Sequence, residues 1–377
     1  MKYWVVLLTL FLLAGCSAPE PELPETTPQT TAAPTETTTV ATQPPDPIRE
    51  RMDWMSLEER VGQLFLARCE AETALEDVQK YHLGGFVLFA EDFQGETPQS
   101  MQEKLSSYQS AAQIPLLLAV DEEGGTVTRI SRYPAFRETP FASPRTLYAR
   151  GGMDAVLAAE EEKCALLASL GLNVNLGPVC DITTQPGAFL YDRSLGQDTA
   201  VTADFASQTV RTMQEYCIGS VLKHFPGYGN NADTHVGIAV DSRSLWELEH
   251  GDLVPFAAGM EAGCGAVLVS HTIIECLDAA APASLSPAVH EYLRSNMGFS
   301  GVILTDDLVM QAITDRYGAG EAAVLAVLAG NDLLCSTEYA VQYEAVLTAV
   351  LDGRIDIDTL NNAVRNVLEW KTELGLI

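Results

Sequence analysis

Gly219-Ser220-Val221-Leu222-Lys223-His224-Phe225-Pro226-Gly227-Tyr228-Gly229 is the stretch on which the fold turns. A short apolar run meets a lysine and a histidine, and then one proline and two glycines. Pro and Gly do not continue a strand, so the run is expected to end at Leu222, with Lys223 and His224 on the loop beyond it. Asp233-Thr234-His235 follows, bringing a lysine, two histidines and an aspartate within thirteen positions. Loops leaving strand ends are where enzymes keep ionisable groups. In Asp-x-His the carboxylate can hold the imidazole in one tautomer and raise its pKa, giving a general acid poised near neutrality. Taken alone, such a pair reads as a surface hydrogen bond, and Lys-His-Phe-Pro-Gly as a structural strand exit.

The rest of the chain decides between these readings. Eight short apolar runs have the length of buried parallel strands: 63–68, 85–89, 115–120, 172–176, 219–222, 266–270, 302–305 and 332–335. Helical periodicity fills segments between them, including 97–112, 153–170, 202–216, 245–262, 286–297 and 320–329. Strands alternating with helices imply a parallel sheet, and eight of them a closed (β/α)8 TIM-type barrel forming a single catalytic domain. An open doubly wound sheet is the alternative, and it usually needs fewer strands and a topological break. Polar residues follow the runs in register: Asp121-Glu122-Glu123-Gly124-Gly125 after the third, Lys223-His224 after the fifth, His271 after the sixth, Asp306-Asp307 after the seventh. Barrel enzymes keep their sites at these strand ends, whereas structural charges scatter over helix faces.

The ends of the chain and its composition set the setting. Lys2, the apolar run Trp4 to Leu13 and Leu13-Ala14-Gly15-Cys16 resemble a bacterial lipoprotein signal over residues 1–16, with Cys16 as the lipid-bearing first residue of the mature protein. The run is short for a transmembrane helix. Residues 17–48 are nearly all Thr, Pro, Ala, Glu and Gln, without aromatics, Lys or Arg. Such a segment cannot bury enough apolar surface to fold. Its prolines favour ~3 Å per residue, a tether reaching roughly 100 Å. Residues 49–377 form the globular part. A lipid-anchored, exported protein on the outer face of the cytoplasmic membrane is expected, acting as a monomer. The net charge of −29 argues against nucleic acid as a partner. Beyond Cys16, the seven cysteines at 69, 164, 180, 217, 264, 276 and 335 form no Cys-x-x-Cys pair and are expected as buried small hydrophobes. No nucleotide-binding loop and no metal-ligand spacing appears, so no cofactor and no metal is expected.

Asp306 ends the run Gly301-Val302-Ile303-Leu304-Thr305, which aims it at the mouth of the barrel. A carboxylate there, opposed by an acid/base group on another loop, is what glycoside hydrolysis needs. Asp307 is expected as its structural partner; a helix cap is the plainer role for Asp306 taken alone.

These residues resemble glycoside hydrolase family 3, and within it the single-barrel β-N-acetylglucosaminidases. The likeness runs through residues 49–377: Met55-Ser56-Leu57-Glu58-Glu59-Arg60-Val61-Gly62-Gln63-Leu64, Val120-Asp121-Glu122-Glu123-Gly124-Gly125, Asp192-Arg193-Ser194-Leu195-Gly196, Lys223 to Gly227 with Asp233-Thr234-His235, and Thr305-Asp306-Asp307-Leu308-Val309-Met310. The resemblance implies Asp306 as the nucleophile of a retaining enzyme, His235 as acid/base and Asp233 as its orienting carboxylate. It implies Asp121, Arg129, Arg193, Lys223 and His224 as residues holding the terminal sugar, with His271 near the site. The substrate it implies is an N-acetylglucosamine-containing glycan such as a peptidoglycan fragment. Three positions depart from the family pattern: Tyr228, where His is common, Thr126, where Arg often stands, and Asn175, where Asp is frequent. Phosphorolysis, action on glucosides or xylosides, and a non-catalytic sugar-binding lipoprotein are the alternative functions. A binder gains nothing from a nucleophile, so Asp306, Asp233 and His235 together favour catalysis.

Overall fold

The computed structural model describes residues 46–231 and 237–377. The expected signal with Cys16, residues 17–45 of the expected linker, and the Asp233 and His235 pair lie outside the described residues. The compact unit is Asp46–Ile377, so folding starts three residues before the expected boundary. The reason is local. Asp46 caps the helix Pro47–Asp53 by accepting the Arg49 N–H at 3.0 Å, Pro47 opens its first turn, and Arg365 pairs with Asp46 at 2.9 Å.

Eight parallel strands make the barrel: β1 Phe65–Arg68, β2 Gly85–Leu88, β3 Leu117–Val120, β4 Val174–Asn175, β5 Gly219–Phe225, β6 Ala266–Val269, β7 Val302–Thr305 and β8 Leu334–Ser336. They pair in chain order, and β8 returns to β1 with Phe65 opposite Leu334. A parallel bridge between Leu304 and Leu333 joins β7 to β8 and completes the ring. Each of the eight apolar runs therefore overlaps one strand.

Alternation along each strand splits the core into two layers. Leu117 and Ala119 of β3, Val302 and Leu304 of β7, and Leu66 of β1 fill the barrel interior. Leu118, Val120 and Ile303 face outward onto the helices. The lower end is closed by Trp370 of the helix Ile357–Glu373. A Cβ built on Gly265 would lie 1.9 Å from its indole, and one on Gly219 2.8 Å away. Only glycine lets the indole lie against both strands. With the bottom sealed, the upper end is left for function.

Three sequence expectations need correction. First, β5 continues through Lys223 and His224 to Phe225 instead of ending at Leu222. The Lys223 carbonyl accepts the Cys180 N–H at 2.7 Å and the Phe225 carbonyl accepts the Ser270 N–H at 2.9 Å, with an irregular register between Leu222 and Phe225. Hydrogen bonds from both sides hold the strand until Pro226 can no longer donate. Second, Cys217 and Cys276 are exposed, while Cys69, Cys164, Cys180, Cys264 and Cys335 are buried as expected. Cys217 follows the last turn of the helix Thr199–Glu215 with φ 55°, outside the core face that the periodicity marks. Third, the helix expected over 245–262 is two, Leu245–Glu249 and Leu253–Glu261, and that over 286–297 is Pro287–Glu291 followed by a π-turn. Among the described residues no helix is long and apolar enough to cross a membrane.

Candidate active site

Above the strands' C-terminal ends lies a cavity of about 820 Å³, lined by Asp121, Arg129, Arg193, Lys223, His224 and Asp306 with Arg68, Phe89, Phe189 and Tyr228 around them. Six of the expected site residues thus meet in one place, although they come from strand ends and loops spread over nearly two hundred residues. The size suits a sugar unit and part of its neighbour.

The floor is a network of buried ions. Lys223, 2% exposed, places Nζ 2.6 Å from Asp121 Oδ1 and 2.6 Å from Glu123 Oε1. Arg193 grips Glu123 with two bonds, Nε to Oε2 at 2.9 Å and Nη2 to Oε1 at 2.7 Å. Arg129 stands 3.8 Å from Asp121. Burial alone would raise the Glu123 carboxyl, but Lys223 and Arg193 overcome it and hold the group far below the usual carboxylate range. Burial likewise works against the charge on Lys223, and Asp121 and Glu123 reverse it, raising its pKa. The lysine and arginine thus stay charged and fixed at the cavity floor.

Hydrogen bonds also assign the His224 tautomer. Its Nδ1 is 2.8 Å from Asp181 Oδ2, and its Nε2 is 3.1 Å from Arg193 Nη2. Arginine can only donate, so Nε2 is the acceptor and Nδ1–H donates to Asp181. Asp181 also accepts the backbone N–H of His224 at 2.9 Å and that of Tyr228 at 2.7 Å. Tyr228, 1% exposed, sets its ring edge-on to His224 with centroids 5.5 Å apart. The departure from the family pattern at this position is therefore a packing partner of His224 in the cavity wall.

Asp306 leaves β7 with its backbone N–H on the Val269 carbonyl at 3.2 Å and its Oδ1 accepting the Asp307 N–H at 2.9 Å. Asp307 also borders the cavity, but its carboxylate is taken up by hydrogen bonds, as expected of a structural partner. It accepts from the Thr337 hydroxyl at 2.6 Å and from the Thr337 and Val309 N–H groups, each at 3.2 Å. Burial raises its pKa, with Thr337 opposing.

His271 does not line the cavity. It is fully buried, with Nδ1 2.7 Å from the Ser284 hydroxyl and Nε2 3.0 Å from the Asp307 carbonyl. A carbonyl can only accept, so Nε2–H donates to it and the ring steadies the turn that carries Asp306. His271 therefore lies near the site, as expected, but beneath the cavity lining: it holds the Asp307 backbone next to Asp306.

Glu123 and Asp181 were not singled out in the sequence, although both sit just past strand ends. Their neighbour Glu122 is structural, accepting from the Arg129 and Ile130 N–H groups and the Ser131 hydroxyl at 2.8, 2.7 and 2.5 Å. Asn175 explains itself through the same residue: its Oδ1 accepts the Glu122 N–H at 3.0 Å and its Nδ2 donates to the Glu122 carbonyl at 3.3 Å. An aspartate could not supply the second bond. Gly124 is needed for two reasons, its φ of 97° and an approach in which a Cβ would lie 2.4 Å from the Ala142 carbonyl oxygen. Thr126 is exposed at the cavity rim. Among the described residues no three His, Cys, Asp or Glu side chains gather as a metal set.

The floor network yields a stability prediction with a pH signature. Removing the Glu123 charge leaves two buried cations short of a partner, so Glu123→Gln is expected to lose about 3 kcal/mol at pH 7. An unfolded glutamate titrates near ~4.3. The folded carboxyl lies below that value, so its stabilisation is complete above the unfolded pKa and declines as pH falls toward the folded one. Urea unfolding at pH 7 and pH 4 should show the gap between wild type and variant narrowing at the lower pH.

Comparison with known proteins agrees with this geometry. A model of the glycosyl hydrolase family 3 N terminal domain matches residues 56–370. A β-hexosaminidase of Nitrosomonas eutropha is 32% identical over 302 residues, covering 74% of this chain and 84% of that protein. One from Stenotrophomonas maltophilia is 35% identical over 291 residues, covering 72% and 84%. Among solved structures, a family 3 β-N-acetylglucosaminidase from Paenibacillus sp. superposes with a TM-score of 0.80 at 31% identity over 85% of this chain; the match spans 63% of that longer protein. LpqI of M. tuberculosis superposes with a TM-score of 0.78 at 27% identity, covering 86% of this chain and 96% of that one. The chain belongs to glycosyl hydrolase family 3.

Proposed function

We propose that the protein is a retaining, exo-acting β-N-acetylhexosaminidase that removes terminal N-acetylglucosamine from peptidoglycan fragments or related glycans. Its standing as a glycosidase follows from family membership and from relatives that are β-hexosaminidases. The observation that carries the reading is the meeting of one carboxylate, Asp306, with the ion-paired floor of Asp121, Lys223, Arg193 and His224 in one cavity. The floor would hold the sugar hydroxyls while Asp306 attacks the anomeric carbon and forms an ester bond as the glycosidic bond breaks. His235 would give its proton to the departing oxygen and then take one from water, whose oxygen displaces Asp306. Asp233 would orient that imidazole. An imidazole acid avoids a second carboxylate beside the nucleophile, where like charges resist joint ionisation. Attachment through Cys16, with the Thr- and Pro-rich residues behind it, would place the barrel among cell-envelope glycans.

The test is hydrolysis of a chromogenic β-N-acetylglucosaminide compared with the matching β-glucoside. The N-acetylated substrate is expected to be preferred by about two orders of magnitude in kcat/KM, since a site built for the acetamido group leaves polar groups unpaired without it. Equal rates would move the reading to a glucosidase, and no turnover of either would move it to a sugar-binding protein. A sugar phosphate formed when phosphate is added would replace hydrolysis by phosphorolysis.

A further inference from the structure

Among the described residues, Arg243 is the most heavily bonded arginine outside the cavity. Its Nε donates to both carboxylate oxygens of Asp241 at 3.0 Å, and its Nη2 to Asp241 Oδ2 at 2.6 Å. The same Nη2 donates to the Gly227 carbonyl at 2.9 Å, and Nη1 donates to Asp252 Oδ2 at 2.5 Å. Asp241 and Asp252 are 1% and 5% exposed, so these charge-assisted bonds are shielded from water.

The partners lie on both sides of one segment. Gly227 stands just past Lys223 and His224, at the entry to the segment that carries Asp233 and His235. Asp241 stands at its exit, where Val240–Asp241 pairs in parallel with Ile273–Ile274. Packing repeats the pattern. A Cβ on Gly227 would lie 2.5 Å from that of Asp252, and one on Gly229 would lie 2.9 Å from the guanidinium carbon of Arg243. Asp252 immediately precedes the helix Leu253–Glu261, which ties the clasp to the outer layer of the barrel.

We propose that Arg243 is a positioning residue for the acid/base step, fixing entry and exit of the Asp233–His235 segment relative to the sugar-holding floor. The proposal rests on the role assigned above to His235. A lysine could not replace the arginine, because a single ammonium cannot form the planar fork to Asp241 while reaching Gly227 and Asp252.

Leaving-group dependence separates positioning from mere structure. A β-N-acetylglucosaminide with a dinitrophenolate leaving group needs no protonation, whereas a sugar or alkyl leaving group does. In Arg243→Ala, kcat/KM is expected to fall about thirtyfold for the poor leaving group and less than threefold for dinitrophenolate, with a part of the 10²–10⁴-fold typical of general acids lost. In a His235→Ala background the same substitution should cost nothing further for the poor leaving group, because the two act through one proton transfer. Equal slowing of both substrates, or additive losses in the double variant, would overturn the proposal. If Arg243→Ala does not fold by circular dichroism, Asp241→Asn is read in the same assays with the same split expected. Failure of the underlying reading looks different: His235→Ala would then itself show no leaving-group dependence.

Discussion

Asp306→Ala is expected to lower kcat/KM on a β-N-acetylglucosaminide by about four orders of magnitude, or ~5.5 kcal/mol of transition-state stabilisation. The size follows from the site. Asp306 and Asp307 both border the cavity at the end of β7, but the Asp307 carboxylate is bonded to Thr337 and that of Asp121 to Lys223. The loss should leave substrate binding nearly intact, because the floor keeps its ion pairs of Lys223 with Asp121 and Glu123 and of Arg193 with Glu123. Thermal unfolding should shift little, since the backbone of the turn is held by Val269 and by His271 on the Asp307 carbonyl. Added azide can take the place of the missing nucleophile from the same face, and the product is then the α-glycosyl azide. A variant that keeps more than a tenth of wild-type activity would remove Asp306 from the nucleophile's role.

His235→Ala is expected to have the second largest effect, about a thousandfold on kcat/KM for substrates whose leaving group must be protonated. For a dinitrophenyl glycoside the change in kcat/KM should stay within tenfold, because that leaving group departs as its anion. Its kcat should still fall, since water then attacks the glycosyl-enzyme without a base. Azide, already ionised, should restore turnover and give the β-glycosyl azide, the opposite configuration to that from Asp306→Ala. The two variants therefore check each other: one anion reports two different missing groups by the stereochemistry of its product. The same azide product from both would contradict the division of roles.

The barrel was legible because its signals are local. Runs such as Val302–Thr305 are apolar on both faces, as strands covered by helices outside and packed side chains inside must be. Polar residues past those runs gave the cavity, since a strand's direction fixes which end is open. What stayed hidden depends on partners distant in sequence. Glu123 sits in a row of three carboxylates, and only the fold shows that Glu122 turns to the Arg129–Ser131 backbone while Glu123 meets Lys223 and Arg193. Asp181 gains its meaning from His224, forty-three positions away. The contact of His271 with the Asp307 carbonyl was hidden for a related reason: a polar residue at a strand end can face the cavity or the turn beside it, and period alone does not choose. The strand end at Phe225 was missed because Pro226 marks where hydrogen bonding fails, while Lys223 and His224 look like loop residues by composition. Asp233, His235 and Cys16 were read from motif likeness, and their roles remain proposals.

The central claim is a covalent glycosyl-enzyme on Asp306. A slow β-N-acetylglucosaminide, fluorinated on the sugar ring with a reactive leaving group, should accumulate that intermediate. Mass spectrometry of the digested protein is then expected to place one sugar on the peptide containing Asp306. Label on a different residue, or a first-formed sugar product of inverted configuration with no label at all, would contradict the account.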